Sequence, residues 1–284
     1  MILDKKEFKR RWEHAGEKIL KGGPTGRPKI TGRRQKKIDK TALAYTANHG
    51  VNARSGTFSL QAVSTCPGAG DCAKDCYATQ GRYKYESVWG RRFINQRALG
   101  TTKESMTRGL LRALRIWYEE NHIPLECVYL LRLHDSGDFF SQKYVDSWAQ
   151  ALRTFTPEMD SNHRLIPYGY TKSLHLDFSS LFSVPGVRLV QSLGGKFDHL
   201  IDWRFGVSAI VPKGSTIDRP WLDANGDPEI QDLAVIDGSQ DVKIALTYHG
   251  PRKARHQWKT TEELNGIARG RLSRLSNQIQ TFKG

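Results

Sequence analysis

At 284 residues, with 38% hydrophobic and 26% charged, the chain is long enough to bury one full core, and a single α/β domain of this size is ordinary. The sequence holds no long apolar run, so no membrane span is expected, and Met1-Ile2-Leu3-Asp4-Lys5-Lys6 does not open a secretory signal, so a cytoplasmic location is expected. Lys and Arg number 44 against 29 Asp and Glu, a net charge of +15, which favours a polyanionic partner, nucleic acid above all, through the basic surface.

In chain order, Lys5 to Leu20 has the pattern of a basic amphipathic helix, ended by Gly22-Gly23-Pro24. From Arg27 to Lys40 the sequence carries Arg27, Lys29, Arg33, Arg34, Lys36, Lys37 and Lys40 with Asp39 as its one acid, and predicts an exposed basic arm. Residues 1–50 are therefore set apart as an N-terminal helix and arm, and residues 51–284 as one α/β domain.

Strands are expected at Phe58–Ser64, Cys127–His134, Ile166–Tyr170, Val187–Ser192, Val207–Val211, Leu233–Ile236 and Lys243–Tyr248. Helices are expected at Glu86–Leu99, Thr102–Asn121 (opened by a Thr101–Glu104 capping box), Gln142–Phe155 (capped by Ser141), Leu174–Phe182 and Thr261–Gln280. Alternating strands and helices predict a parallel sheet, open or closed as a partial (β/α) barrel, with the last helix appended at the C-terminus. Pro212 to Asp232, with its Asn225-Gly226 turn signal, reads as an excursion from that pattern.

Three of the four cysteines fall close together, as Cys66, Cys72 and Cys76 in a C-x5-C-x3-C pattern. In a reducing compartment such clustering points to metal or redox chemistry rather than to a disulfide framework. A helix expected from about Asp71 to Gly81 places Cys72 and Cys76 on one face and Cys72 in the first turn, where the helix dipole favours a thiolate. Structural zinc usually takes two separated cysteine pairs, whereas a triplet suits a cuboidal iron–sulfur cluster, four-iron in preference to three-iron. Zinc held by the three cysteines and His134 stays open as the alternative. Cys127 starts a strand and is assigned to the core at the far edge of the sheet.

Polar residues appear abruptly where the strands end, the edge at which α/β folds bind ligands. Arg132 and His134 are expected on one face, with Asp138 or an anionic ligand as partner to Arg132, and Ser136, Gly137, Thr171, Lys172, Ser173, Gln191 and Ser192 complete the set. Arg132, His134, Asp138 and Lys172 are the candidate catalytic groups, and Ser136, Gly137, Asp138, Thr171, Ser173, Gln191 and Ser192 the candidate cofactor contacts. Gly194-Gly195-Lys196 is a weak phosphate signal and reads better as a turn.

The run Thr57-Phe58-Ser59-Leu60, Cys66-Pro67-Gly68-Ala69, Cys72 and Cys76-Tyr77-Ala78 resembles a phage-encoded family described as gene-product-eighty-eight-like. So do Arg132, Ser136-Gly137-Asp138-Phe139, Tyr144, Trp148 and Tyr170-Thr171-Lys172-Ser173. The resemblance implies a phage or prophage origin. A looser similarity links the chain to radical S-adenosylmethionine enzymes, in which a three-cysteine loop after the first strand of a partial barrel leaves one iron open to the cofactor. It implies Cys66, Cys72 and Cys76 as cluster ligands, Gly137-Asp138 as the strand-end motif facing the methionine moiety, and S-adenosylmethionine as a candidate cofactor. The cysteine spacing here is longer than the C-x3-C-x2-C of that superfamily.

Overall fold

A computed structural model describes residues 28–32, 40–74, 76–211, 222–224, 232–238 and 241–247, together with Arg10. The expected helices at 5–20 and 261–280, most of the basic stretch 27–40 and most of the 212–232 excursion lie outside the described residues.

The central strand is β3 (Cys127–Leu133), whose run Cys-Val-Tyr-Leu-Leu is buried on both faces, as a strand inside a parallel sheet must be. On one side it pairs with β2 (Asn52–Phe58) and on the other with β4 (His163–Thr171), both parallel. The sheet continues in parallel through β5 (Arg188–Ser192), β6 (Val207–Val211), β8 (Lys243–Thr247) and β7 (Leu222–Ala224). A short antiparallel edge, β1 (Thr31–Gly32), completes the order β1-β2-β3-β4-β5-β6-β8-β7. From β2 to β6 each new strand is added on the same side of the last. All of their C-terminal ends therefore share one edge.

Helices α2 (Glu86–Leu99), α3 (Lys103–Asn121), α4 (Gln142–Phe155) and the short α5 (Ser179–Phe182) supply the larger core. Leu110, Leu114, Trp117, Trp148 and Leu152 pack there against Tyr129, Leu131 and Leu133 of β3. The other face, with Ala53, Val128, Leu130, Ile166 and Tyr168, is covered by α1 (Lys40–His49) and α6 (Leu233–Ile236). Ser141 caps α4 by accepting the Tyr144 N–H at 3.3 Å, as expected. The capping box of α3 is one residue later than expected: Thr102 and Ser105 exchange side-chain-to-backbone bonds at 3.1 Å each.

Four expectations change. The strand assigned to 58–64 is instead β2, which ends at Phe58; its pattern is broken by Asn52, Arg54 and Gly56 and carries little periodic signal. Residues 233–236 form one helical turn rather than a strand, because a four-residue apolar run fits either and length alone does not decide. Only Ser179–Phe182 of the expected 174–182 helix is helical, with the Asp177 carboxylate accepting the Ser179 N–H at 2.8 Å. The supposed arm includes core structure: Ile30 is fully buried, and Lys40–His49 is a helix whose Ala42 and Tyr45 pack on the sheet.

Candidate metal centre

β2 and β3 end level, Phe58 beside Leu133, and their continuations stay paired. His134 N–H donates to Phe58 O at 3.0 Å, Leu60 N–H to Ser136 O at 2.9 Å, and Asp138 N–H to Thr65 O at 3.2 Å. The Ser136 hydroxyl adds a bond to Leu60 O at 2.9 Å. Gly137 is needed in this seam: its φ is +80°, and a Cβ there would lie 2.6 Å from Thr65 Oγ1. Ser136, Gly137 and Asp138, expected to face a cofactor, thus lay the chain leading to Cys66 along the end of β3.

Beyond Cys66 the loop is pinned to β4 and β5. Lys196 N–H donates to Gly68 O at 2.9 Å, and Ala69 forms an antiparallel bridge with Gly195. Gly194 and Gly195 direct their N–H groups to the Asp198 carboxylate at 2.9 and 2.8 Å, so this Gly-Gly-Lys is a carboxylate-capped turn.

The helix expected from 71 to 81 is replaced by three 3-10 turns, Asp71–Ala73, Tyr77–Thr79 and Gly81–Lys84. Cys72 and Cys76 therefore do not share a helical face, and no helix dipole acts on Cys72. External anchors hold these turns instead. The buried guanidinium of Arg92 donates to Ala78 O at 3.3 Å and to Asp135 Oδ1 at 3.4 Å, and stacks 4.2 Å from the Tyr83 ring centroid. Tyr83 donates to Asp135 Oδ2 at 3.2 Å; Ser59 donates to the same carboxylate and Tyr77 to the Asp135 carbonyl.

None of the four cysteines, all among the described residues, forms a disulfide. The charges of Cys76 and Cys72 both bear on Cys66, and that of Cys72 on Cys76, so the three thiols share one electrostatic neighbourhood. Burial pushes the Cys66 thiol far up, and the Asp138 carboxylate and the two neighbouring thiols add to the shift. Burial also raises Cys76, to about 11, with Cys72 adding to it while nearby backbone N–H groups and Arg92 oppose it. A bound metal takes the proton's place and relieves that cost. Among the described residues, the three thiols are not a group whose ligand atoms close to within 4.8 Å. Thiolates on one zinc, at about 2.3 Å from the ion, stand roughly 3.8 Å apart. Those of a cuboidal cluster bind different irons and stand farther apart.

Asp138 is buried and saturated: Oδ1 accepts from Phe139 N–H at 2.7 Å and the Thr171 hydroxyl at 2.8 Å, and Oδ2 from Lys172 N–H at 2.9 Å. Burial raises its pKa, against those donors. Thr171 also accepts the Ser173 N–H at 3.0 Å. Lys172 Nζ donates to Ser192 Oγ at 2.9 Å and to the Leu193 carbonyl, so it ties β4 to β5. Gln191 turns to Asp202, bonding its backbone O and N–H at 2.6 and 2.8 Å, and belongs to another loop.

Two expectations about β3 are corrected. Arg132 pairs with Asp232 at 2.9 Å, not with Asp138. The same carboxylate accepts from Tyr168 at 3.2 Å and Tyr170 at 3.1 Å, and Arg132 lies 5.6 Å from the Tyr170 ring. His134 does not share the face of Arg132. The strand ends at Leu133, and a φ of +69° turns the ring into the helix-side core against Phe139, Tyr144 and Trp148, with Nε2 2.9 Å from the Tyr144 hydroxyl. Burial pushes its pKa down to about 3. A ring held there is poorly placed as the fourth ligand of a Cys3His zinc. Cys127 is fully buried at the start of β3, as expected.

Sequence reasoning missed Arg92, Asp135, Tyr83 and Asp232. An arginine on an apolar strand does signal a buried acid, but Asp232 is 100 residues away. Nothing in the spacing of Arg92 and Asp135 marks them as partners.

A family model described as Gene product 88 matches residues 26–268. No curated protein and no solved structure matches the chain.

Proposed function

The chain belongs to the Gene product 88 family, and we propose that it is an iron–sulfur protein whose cluster is held by Cys66, Cys72 and Cys76 at the C-terminal edge of the sheet. The observation that carries this reading is the placement of three thiols, none in a disulfide, on one loop that is pinned to the C-terminal ends of β3, β4 and β5. With His134 turned into the core, a Cys3His zinc lacks the fourth ligand expected for it. The buried Arg92, acting on Cys76, supplies positive charge next to an anionic thiolate set.

Three thiolates leave one iron of a four-iron core without a protein sulfur, and when bound the cluster supplies electron transfer or a Lewis-acidic iron for a small molecule. S-adenosylmethionine is the candidate that the partial-barrel likeness suggests. The part of the fold that bears on it is the strand order, in which each strand from β2 to β6 is added on one side, as in a partial barrel. Asp138, Thr171 and Lys172 hold the loop rather than offer open donors, so their part is to fix the thiols in place.

The test is iron, sulfide and zinc analysis of anaerobically purified protein, with spectra before and after adding S-adenosylmethionine. Iron and acid-labile sulfide in equal amounts support the cluster, and a changed paramagnetic signal with the cofactor supports an open iron. Stoichiometric zinc that resists replacement by iron and sulfide counts against both.

A second reading, a nucleic-acid partner, is favoured by the net charge of +15 and by exposed Arg82, Lys84 and Tyr85 on the turn after the cysteines. It predicts binding that weakens steeply with salt, and a flat salt response contradicts it.

A further inference from the structure

At the opposite edge of the sheet, away from Cys66, Cys72 and Cys76, a second group of ligating atoms stands together near the start of β3, where Cys127 pairs with His163. His122 follows the last turn of α3, and Asp160 and His163 flank the turn that opens β4. Asp160 Oδ2 lies 2.8 Å from His122 Nε2 and 3.9 Å from His163 Nδ1. Among the described residues this is the group of three whose ligand atoms all fall within 4.8 Å of one another.

We propose that His122, Asp160 and His163 form a mononuclear site for a divalent transition metal, zinc being the best fit to two imidazoles and one carboxylate.

Three features distinguish the group from an incidental surface ion pair. The first is the tautomer of His163. Its Nε2 is 3.0 Å from the Leu125 carbonyl, which only accepts, so Nε2 carries the proton and Nδ1 keeps its lone pair, which accepts the Tyr118 hydroxyl at 2.7 Å with Asp160 Oδ2 3.9 Å away. A backbone carbonyl on the far nitrogen is how metal-ligating imidazoles are commonly oriented.

The second is rigidity. The His163 side chain is fully buried, and its ring packs against Tyr118, Tyr129 and His122, with centroids 5.7, 5.3 and 5.3 Å away. His122 and Asp160 are 39% and 52% exposed, so the site has a fixed floor and an open mouth through which an ion and water enter.

The third is scale. Ligands about 2.0–2.1 Å from a tetrahedral zinc stand about 3.3 Å apart. The two observed separations, 2.8 and 3.9 Å, bracket that value and need only small side-chain adjustments. Tyr118 Oη, 2.7 Å from His163 Nδ1 and accepting the Asp160 N–H at 3.0 Å, stands on that lone pair, so an ion binds there only as the phenol swings aside. His122 moves its ring proton to Nδ1 and gives Nε2 to the ion.

The proposal is independent of the cysteine centre, and its test keeps the two apart. The full-length protein, His122→Ala and Asp160→Asn are dialysed against excess zinc. Bound zinc is then counted per chain, with its ligand shell read by zinc-edge X-ray absorption and folding checked by circular dichroism. The expected result is one more zinc per chain in the wild type than in either variant, that increment having only nitrogen and oxygen neighbours. Asp160→Asn keeps the shape of the side chain and carries the test alone if His122→Ala does not fold. Equal zinc in wild type and variants, or zinc with sulfur ligands only, overturns the assignment.

Discussion

Gly68 lies so close to the backbone of Lys172 that a Cβ on it would stand 1.9 Å from the Lys172 carbonyl oxygen. This contact presses the first cysteine's loop onto the end of β4. Gly68→Ala must move one backbone or the other, at a cost of about 1–3 kcal/mol by analogy with overpacked cores. The expected outcome is a lower denaturant midpoint together with reduced iron retention. An unchanged midpoint with full iron would show that the loop is not held by this contact.

Asp138 joins the same two segments through its carboxylate. Asp138→Ala leaves the Thr171 hydroxyl and the N–H groups of Phe139 and Lys172 without their acceptor. At about 1–3 kcal/mol for a buried donor left unpaired, a loss on the order of 3 kcal/mol is expected from the set. Chemical denaturation measures it, and a loss below about 1 kcal/mol would contradict the role given to Asp138.

Arg132 and Asp232 form a pair in which the acid is 6% and the arginine 25% exposed. Asp232→Asn strands the cation at a cost of about 2–3 kcal/mol, under the 3–5 of a fully buried pair because Arg132 keeps some solvent. Arg132→Met in the same background is expected to recover part of that loss, and a double-mutant cycle reads the coupling.

His134 gives a pH signature. Its pKa falls from the usual 6.5 to about 3 on folding. The unfolded chain therefore binds a proton that the folded chain refuses, and stability drops as the pH falls from about 6.5 towards 3. The slope from this one group is about 1.4 kcal/mol per pH unit. His134→Gln, which can still reach the Tyr144 hydroxyl, should remove that component, so its stability curve is flatter than the wild type's across this window. Parallel curves would mean that His134 is protonated in the folded protein.

Much of the scaffold was legible because periodic patterns are strong where burial is continuous. α2, the apolar β3 and α4 with its Ser141 cap are where the sequence places them. Weakly patterned pieces were not legible. β2 is interrupted by Arg54 and Gly56, and Leu233–Ile236 is too short for its period to show. At the site, the three cysteines and the strand-end polar residues were visible as types, but not their partners. A one-residue left-handed turn at His134 reverses the side chain's face, and ordinary strand parity does not foresee that. The turns after Cys76 are fixed by Arg92 and Asp135, which bond Ala78, Tyr77 and Tyr83, so a local helix signal was outweighed there by tertiary contacts.

The most direct measurement is iron-edge X-ray absorption fine structure on anaerobically prepared protein, alongside Cys66→Ser, Cys72→Ser, Cys76→Ser and Cys127→Ser. A polynuclear core gives a sulfur shell followed by iron–iron scattering, lost or diminished in the first three variants and intact in Cys127→Ser. A lone metal with sulfur neighbours and no metal–metal scattering, or a signal indifferent to Cys66, Cys72 and Cys76, would contradict the account.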